Sequence, residues 1–172
     1  MNNTSRTAAQ LRHDFDSAFA EAAREATQAQ DDFLAIRIGA DTHALRLAEI
    51  VHLMNLTAWT PLPGPLPAML GVIGFRGAIV PVYDLRLLLG YPAQEPPRWS
   101  VVVGDPPVAL AFDAFEGHLR LAQAAHVRQA DGEAARRHVR ELLHTGDMIR
   151  PVVAVASLLE AIKTMVKQPG PT

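Results

Sequence analysis

Between Asp32 and Val155 the apolar residues come in short runs, each ended by a turn signal after roughly 8 to 12 residues. Many short strands at that spacing predict small barrels or a sandwich. The chain has 172 residues, which is room for one substantial domain or two small modules packed together. A chain of that size buries ~70% of its unfolded surface, so it folds without a metal or disulfide staple.

The first thirty residues read differently. Leu11, Phe15, Phe19, Ala22 and Ala26 recur at three- and four-residue spacing, which predicts a helix with a thin apolar stripe that needs something to lie against. From Asp32 the period changes to two. Phe33 to Ile38 is predicted as a strand and Gly39 to Thr42 as a turn. His43 to Leu47 follows as a second strand, with His43, Leu45 and Leu47 on one face. Ile50 to Leu56 fits a strand better than a helical turn. Four prolines between Thr60 and Pro67 make an extended, stiff connector, because proline cannot donate to a sheet ladder.

Met69 to Leu85 is the most informative stretch: a strand, a Phe75-Arg76-Gly77-Ala78 turn, and a second strand. Gly77 supplies the positive φ that a tight reversal requires. Asp84 stands where a helix N-cap belongs and opens the short turn Leu85 to Leu89, which Gly90 stops. Tyr91 to Arg98 is a linker. A hairpin follows, from Trp99 to Val103 and from Val108 to Phe112 about the Gly104 to Pro107 turn. Asp113 to Gly117 is expected to turn again into His118 to Ala122. Residues 126 to 138 are polar and basic and read as a loop. Val139 to Leu143 and Met148 to Val155 form another hairpin, and Ala156 to Val166 a closing helix. No repeat of fixed period is visible in the letters.

The chemistry-bearing residues exclude more than they suggest. There is no cysteine, which removes disulfides, thiolate metal sites and a thiol nucleophile together. The seven histidines (13, 43, 52, 118, 126, 138 and 144) fall in none of the zinc spacings, and His43 and His52 suit hydrogen-bonded structural roles. The glycines of Gly71-Val-Ile-Gly-Phe-Arg-Gly77 lie in a hairpin, so they are neither a dinucleotide fingerprint nor a P-loop. No serine lies in GxSxG, and no lysine in the sheet region can form a Schiff base. Asp84, Asp105 and Asp113 stand at strand ends, where carboxylates cap turns more often than they do acid–base work. A net charge of -2 and 6% aromatic residues lack the cationic, stacking surface of a nucleic-acid binder. No apolar run reaches the roughly 18 residues that cross a bilayer, and no signal peptide is evident. A cytoplasmic, non-enzymatic binding module without cofactor or metal is therefore expected, and Arg76, a permanent five-donor cation at a hairpin tip, is its most suggestive residue.

The stretch Leu70-Gly-Val-Ile-Gly-Phe-Arg-Gly-Ala-Ile-Val-Pro-Val-Tyr-Asp-Leu-Arg86 resembles the signature of the CheW family of chemotaxis adaptor domains. Phe33 to Leu47 is similar to that family's opening hairpin. Val108 to Gly117 is similar to its second-half strand and turn, and Arg150 to Leu159 to its closing strand and helix. The resemblance implies a mainly β fold of two small SH3-like barrels packed together, with an N-terminal and a C-terminal helix. It divides the chain into a helical extension (1–31), a CheW-like adaptor domain (32–166) and a tail (167–172). The activity it implies is tethering a methyl-accepting chemoreceptor tip to the regulatory domain of a CheA-type histidine kinase. Arg76, Gly77, Phe75 and His52 would face the receptor, while Gly71, Pro81 and Asp84 would shape that corner.

Two positions depart from the family pattern. His52 stands where an acidic residue is usual in the third strand, and Gly74 where asparagine is common. An imidazole for a carboxylate alters the local charge, and a lost amide removes donors and acceptors. These departures mark a divergent member, such as one serving an alternative chemosensory array or a pilus system. The competing expectation is a β-barrel small-ligand sensor on the same scaffold, which requires a closed apolar pocket with convergent polar groups.

Overall fold

The computed structural model describes residues 30–62, 66–93, 95–122, 126–128 and 138–167. Two units are distinguished along the chain, Met1–Gln30 and Asp31–Thr172, and the described fold is that of the second. The helix expected over the first thirty residues lies outside the described residues.

Eleven strands are described. They are β1 (Gln30–Ile38), β2 (Asp41–Arg46), β3 (Ile50–Asn55), β4 (Met69–Phe75), β5 (Ala78–Asp84), β6 (Trp99–Val103), β7 (Val108–Phe112), β8 (Ala114–Ala122), β9 (His126–Arg128), β10 (Val139–Thr145) and β11 (Met148–Val153). Two helices accompany them, α1 (Leu85–Leu88) and α2 (Val155–Lys167). The strands form a six-stranded sheet in the order β8-β1-β2-β11-β10-β9 and a five-stranded sheet in the order β3-β6-β7-β5-β4. The chain therefore crosses between sheets twice, after β2 and after β7. Each crossing delivers a strand, β3 or β8, to the far hairpin's open side. The five-stranded sheet curls until its ends meet, since the rings of His52 on β3 and Phe75 on β4 lie 5.3 Å apart. The fold is mainly β, with two SH3-like barrels, as the family resemblance implies.

Alternate residues of the same strands serve different cores. On β7, Ala109 and Ala111 fill the second barrel with Val80 and Val82, while Leu110 and Phe112 turn outward into a larger cluster. On β1, Phe33 fills the first barrel with Ala44, Leu143 and Val152, while Leu34 turns outward to the same larger cluster. That cluster joins the barrels: Ile36, Ile38 and Leu45 from one sheet meet Tyr83, Val101 and Val103 from the other. Val155, Leu158 and Ile162 of α2 belong to it too, at the three- and four-residue spacing of one helix face.

The hairpins β4–β5 and β10–β11 are a structural repeat. Every pairing of the first, including its bulge, recurs in the second with each residue number raised by 70, so Ile73↔Val80 becomes Leu143↔Arg150. Both then pair in parallel, β5 with β7 and β11 with β2, and both lead straight into a helix. The sequence hides this repeat because the buried chemistry differs. Where the second barrel has Gly71 and Val80, the first has Glu141 and Arg150, both buried. Arg150 Nη1 donates to Glu116 Oε2 at 2.6 Å, and Arg37 bonds the other oxygen. Arg46 Nε donates to Glu141 Oε1 at 3.0 Å, and its guanidinium lies 5.0 Å from the Phe33 ring.

Several expectations need correction. Leu47 does not continue β2; it begins a 3-10 turn, Leu47–Glu49, and is 38% exposed. The turn expected over Asp113 to Gly117 is confined to Asp113, and β8 starts at Ala114, because it must run far enough to pair with β1. Residues 126–128, expected in a loop, form β9 against β10. Their short, polar sequence shows no apolar alternation, and it is the ladder with β10 that makes them a strand.

Two measurements test this packing. Leu158→Ala should cost about 2–5 kcal/mol in a single transition, because Leu158 is fully buried in the core both barrels share. Fluorescence of Trp59, packed on the second barrel's core, and Trp99, packed on the shared cluster, should then melt together with far-UV circular dichroism; separate midpoints would refute a shared core. Burial pushes the Glu116 carboxyl upward, but its bonds and charges with Arg150 and Arg37 outweigh this and hold it below its ordinary 4.5. Its stabilisation is complete above that value and lost as the pH falls through the depressed one. Glu116→Gln should therefore flatten part of the acid limb of stability, read by urea unfolding between about pH 5 and pH 3.

Candidate docking site at an arginine-glycine hairpin

The β4–β5 hairpin closes over two residues, since Phe75 pairs with Ala78. Both loop residues have positive φ, 49° at Arg76 and 80° at Gly77, the signature of a type I′ turn that matches strand twist. Glycine takes this conformation freely, whereas arginine meets Cβ strain of roughly 1–2 kcal/mol. The sequence thus holds a long cation where asparagine or glycine would be easier. Arg76 is exposed, and its guanidinium lies 5.0 Å from the centroid of the Phe75 ring. Arg37, Arg46, Arg86, Arg120, Arg140 and Arg150 all pair with carboxylates. Arg76 pairs with none among the described residues.

His52 approaches the same ring from β3, tilted by 38°. Arg76, Gly77, Phe75 and His52 are thus brought together, three from one turn and one from across the barrel closure. Beside them a groove of about 460 Å³ is lined by Met54, Trp59, Val72, Ile73, Gly74 and Ile79. Gly74 is exposed with open space where a Cβ would stand, so the missing side chain widens the groove. Ile79, its cross-strand partner, is 79% exposed.

Gly71 and Pro81 serve the hairpin from behind. Thr60 bridges to Val72 across two backbone hydrogen bonds of 2.9 Å, which brings its carbonyl over Gly71. A Cβ there would lie 2.1 Å from that oxygen. Pro81 stands one residue ahead of the parallel ladder with β7, which begins at Val82, so its missing N–H falls outside that ladder.

Asp84 lies elsewhere, at the far end of β5 from the arginine tip, so it does not share the Arg76 corner. It is buried and caps α1 through Oδ1, which accepts from Arg86 N at 3.0 Å. The Arg86 guanidinium grips the same carboxylate with two bonds, Nε to Oδ1 at 2.9 Å and Nη2 to Oδ2 at 2.7 Å. Its Nη1 donates to Asp113 Oδ1 at 2.8 Å and to the Glu95 carbonyl at 2.6 Å. Asp113 Oδ2 then accepts from Gly39 N in the β1–β2 turn at 2.6 Å. Its bonds to Asp84, and the charges of Asp84 and Asp113, raise the Arg86 pKa further despite burial. This network ties the two barrels at their seam. Sequence reasoning gave Asp113 only a turn role and passed over Arg86; the Asp-Leu-Arg spacing, which sets an arginine on the first turn of a capped helix, was the available signal.

The seam network lines a cleft of about 610 Å³ with Asp41, Tyr91, Glu95 and Arg98. His43 is buried behind Tyr91, its ring edge-on to that side chain at 5.6 Å. Among the described residues no group of histidines and carboxylates is arranged to hold a metal, and no helix is long and apolar enough to cross a membrane.

Two curled sheets joined by one apolar seam, with a strained arginine-glycine hairpin on the second, define a two-barrel scaffold of the SH3-like kind. Residues 32–163 match the model of the CheW-like domain, and the chain belongs to that family. It is 30% identical over 82 residues to the chemotaxis protein CheW of Rhizobium meliloti (strain 1021), a match covering 48% of this chain and 53% of that protein. The probable chemotaxis protein CheW of Rhizobium etli is 29% identical over the same length. The chain thus spans about half the length of the curated relatives it matches. Among solved structures, the scaffolding protein TtCheW from Thermoanaerobacter tengcongensis superposes with a TM-score of 0.66 at 16% identity, over 73% of this chain and 89% of that one, a likeness of fold.

The local geometry separates two effects by mutation. Arg76→Gly relieves the backbone strain and should stabilise the hairpin by about 0.5–1 kcal/mol, whereas Gly71→Ala should cost at least about 2 kcal/mol. Chemical denaturation reads both, and an Arg76→Gly variant less stable than the parent would show that the arginine's contacts outweigh its strain.

Proposed function

We propose that this chain is a non-enzymatic chemosensory adaptor. It tethers the signalling tip of a methyl-accepting chemoreceptor to the regulatory domain of a CheA-type histidine kinase in the cytoplasm. The observation that carries the reading is Arg76, which combines a strained backbone with an exposed guanidinium that has no carboxylate partner among the described residues. Strain of this kind persists at sites that use it, and an unpaired cation beside an exposed apolar groove suits a partner protein. In this reading Arg76, Gly77, Phe75 and His52 face the receptor. Gly71 and Pro81 hold the hairpin, and Asp84 holds the seam that fixes one barrel against the other. The adaptor domain occupies 32–166, with 1–31 an extension and 167–172 a tail.

A tether needs a second face. In this reading the second face is the β10–β11 tip of the first barrel, the repeat's counterpart of the arginine hairpin, where Met148 and Ile149 are 50% and 54% exposed. Each face is small, within the transient class below about 1,200 Å². Two of them on one rigid body raise each other's effective concentration inside an array. The seam cleft does not favour a small-ligand sensor, since it is open and five of its lining residues are charged, whereas a sensor pocket encloses its ligand with only a few polar groups.

Calorimetric titration into the regulatory domain of the histidine kinase encoded nearest the gene should give a Kd in the range of about 1 to 100 μM. Arg76→Glu should keep that binding and lose co-sedimentation with receptor-bearing membranes. No heat with a kinase domain that still answers to another adaptor would sink the coupling claim and move the sensor reading to first place.

A further inference from the structure

His52 and Arg76 share one aromatic ring. The imidazole lies 5.3 Å from the Phe75 centroid and the guanidinium 5.0 Å from it, and both side chains reach solvent. The electron-rich faces of a phenyl ring attract cations, so Phe75 can hold a second positive charge beside the first. Among the described residues the groups facing His52 are few. Phe75 comes from β4, Val102 lies opposite on β6, and Val51 and Leu53 flank it along β3. Arg76 reaches it through the shared ring. Glu49, the carboxylate nearest in sequence, is paired with Arg140. Neither His52 nor Arg76 has an ion-pair partner among the described residues.

From this arrangement we propose that His52 is a specificity residue: with Arg76 it makes the β4–β5 corner a surface of one or two cations that selects an acidic docking segment on the partner. The inference rests on the docking reading above and deepens it. Ile79, exposed, lines the groove beside Gly74, so the fitting segment carries a carboxylate for the charged pair and an apolar side chain for the groove. Histidine changes charge over about pH 5 to 8, which makes the selection graded by pH. An added unit charge about 6 Å from a carboxylate in water multiplies affinity roughly threefold, less as salt screens it. Protonation therefore tunes the contact and does not switch it off.

The probe is the signalling-tip fragment of the chemoreceptor encoded nearest the gene, titrated calorimetrically into the full chain at about pH 6 and about pH 8. The native chain should bind up to about 3-fold more tightly at the lower pH. His52→Gln, a surface change that leaves the core untouched, should remove that difference, and His144→Gln, on the other hairpin, should keep it. Equal affinity at both pH values, weaker binding at the lower one, or a slope surviving His52→Gln would each overturn the inference while leaving docking intact. Absence of binding at both values would overturn the docking reading and this inference with it. A readout without the fragment tests the coupling directly. The Arg76 Nε–H and Phe75 ring resonances should shift with the His52 midpoint and stop doing so in His52→Gln; resonances that ignore that midpoint would refute the shared ring as the link.

Discussion

The apolar seam between the barrels is the interaction on which the rest depends. Each barrel encloses only a small core: the second holds Leu56, Ile73, Val80, Val82, Ala109 and Ala111, and the first Phe33, Ala44, Leu143 and Val152. The bulky side chains, such as Ile36, Leu110, Phe112 and Leu158, point away from both interiors and into one another. Burial of apolar area is the main favourable term in folding, and most of that area lies where the modules meet. The barrels are thus halves of one hydrophobic structure, and the double crossing of the chain makes that union covalent as well.

The polar network of Arg86 adds direction to a seam that hydrophobic contact alone leaves unspecified. A guanidinium whose bonds reach Asp84, Asp113 and the Glu95 carbonyl has one orientation, and Asp113 passes the constraint to Gly39 across the barrels. Buried charges are tolerated when paired and hydrogen-bonded, as Arg86 is with Asp84 and Asp113. The first barrel uses the same device inside itself, through Arg150 with Glu116 and Arg46 with Glu141. One hairpin design thus closes one barrel with apolar side chains and the other with ion pairs.

Legibility in the sequence followed the range of the forces involved. The β4–β5 hairpin, the Asp84 cap and the closing helix were readable because each is decided by neighbours within a few residues: a turn glycine, an N-cap carboxylate, an amphipathic spacing. The start of β8, the end of β2 and the existence of β9 were misread. Those boundaries are decided by a partner strand from another part of the chain, and composition carries no trace of it. The 70-residue repeat was invisible for a related reason. Backbone register was retained while Gly71 and Val80 gave way to Glu141 and Arg150, and letters record side chains, not register.

By itself, the sequence determined a mainly β chain of short strands, excluded cysteine chemistry, and marked Arg76 and Gly77 as a special turn. Each of these is a property of composition or of local conformational preference. Only the tertiary structure decided which strands share a barrel, that Asp84 belongs to the seam and not to the arginine corner, and that His52 meets Phe75. Those facts depend on closure of a curled sheet, which brings β3 and β4 together across residues that no local preference connects.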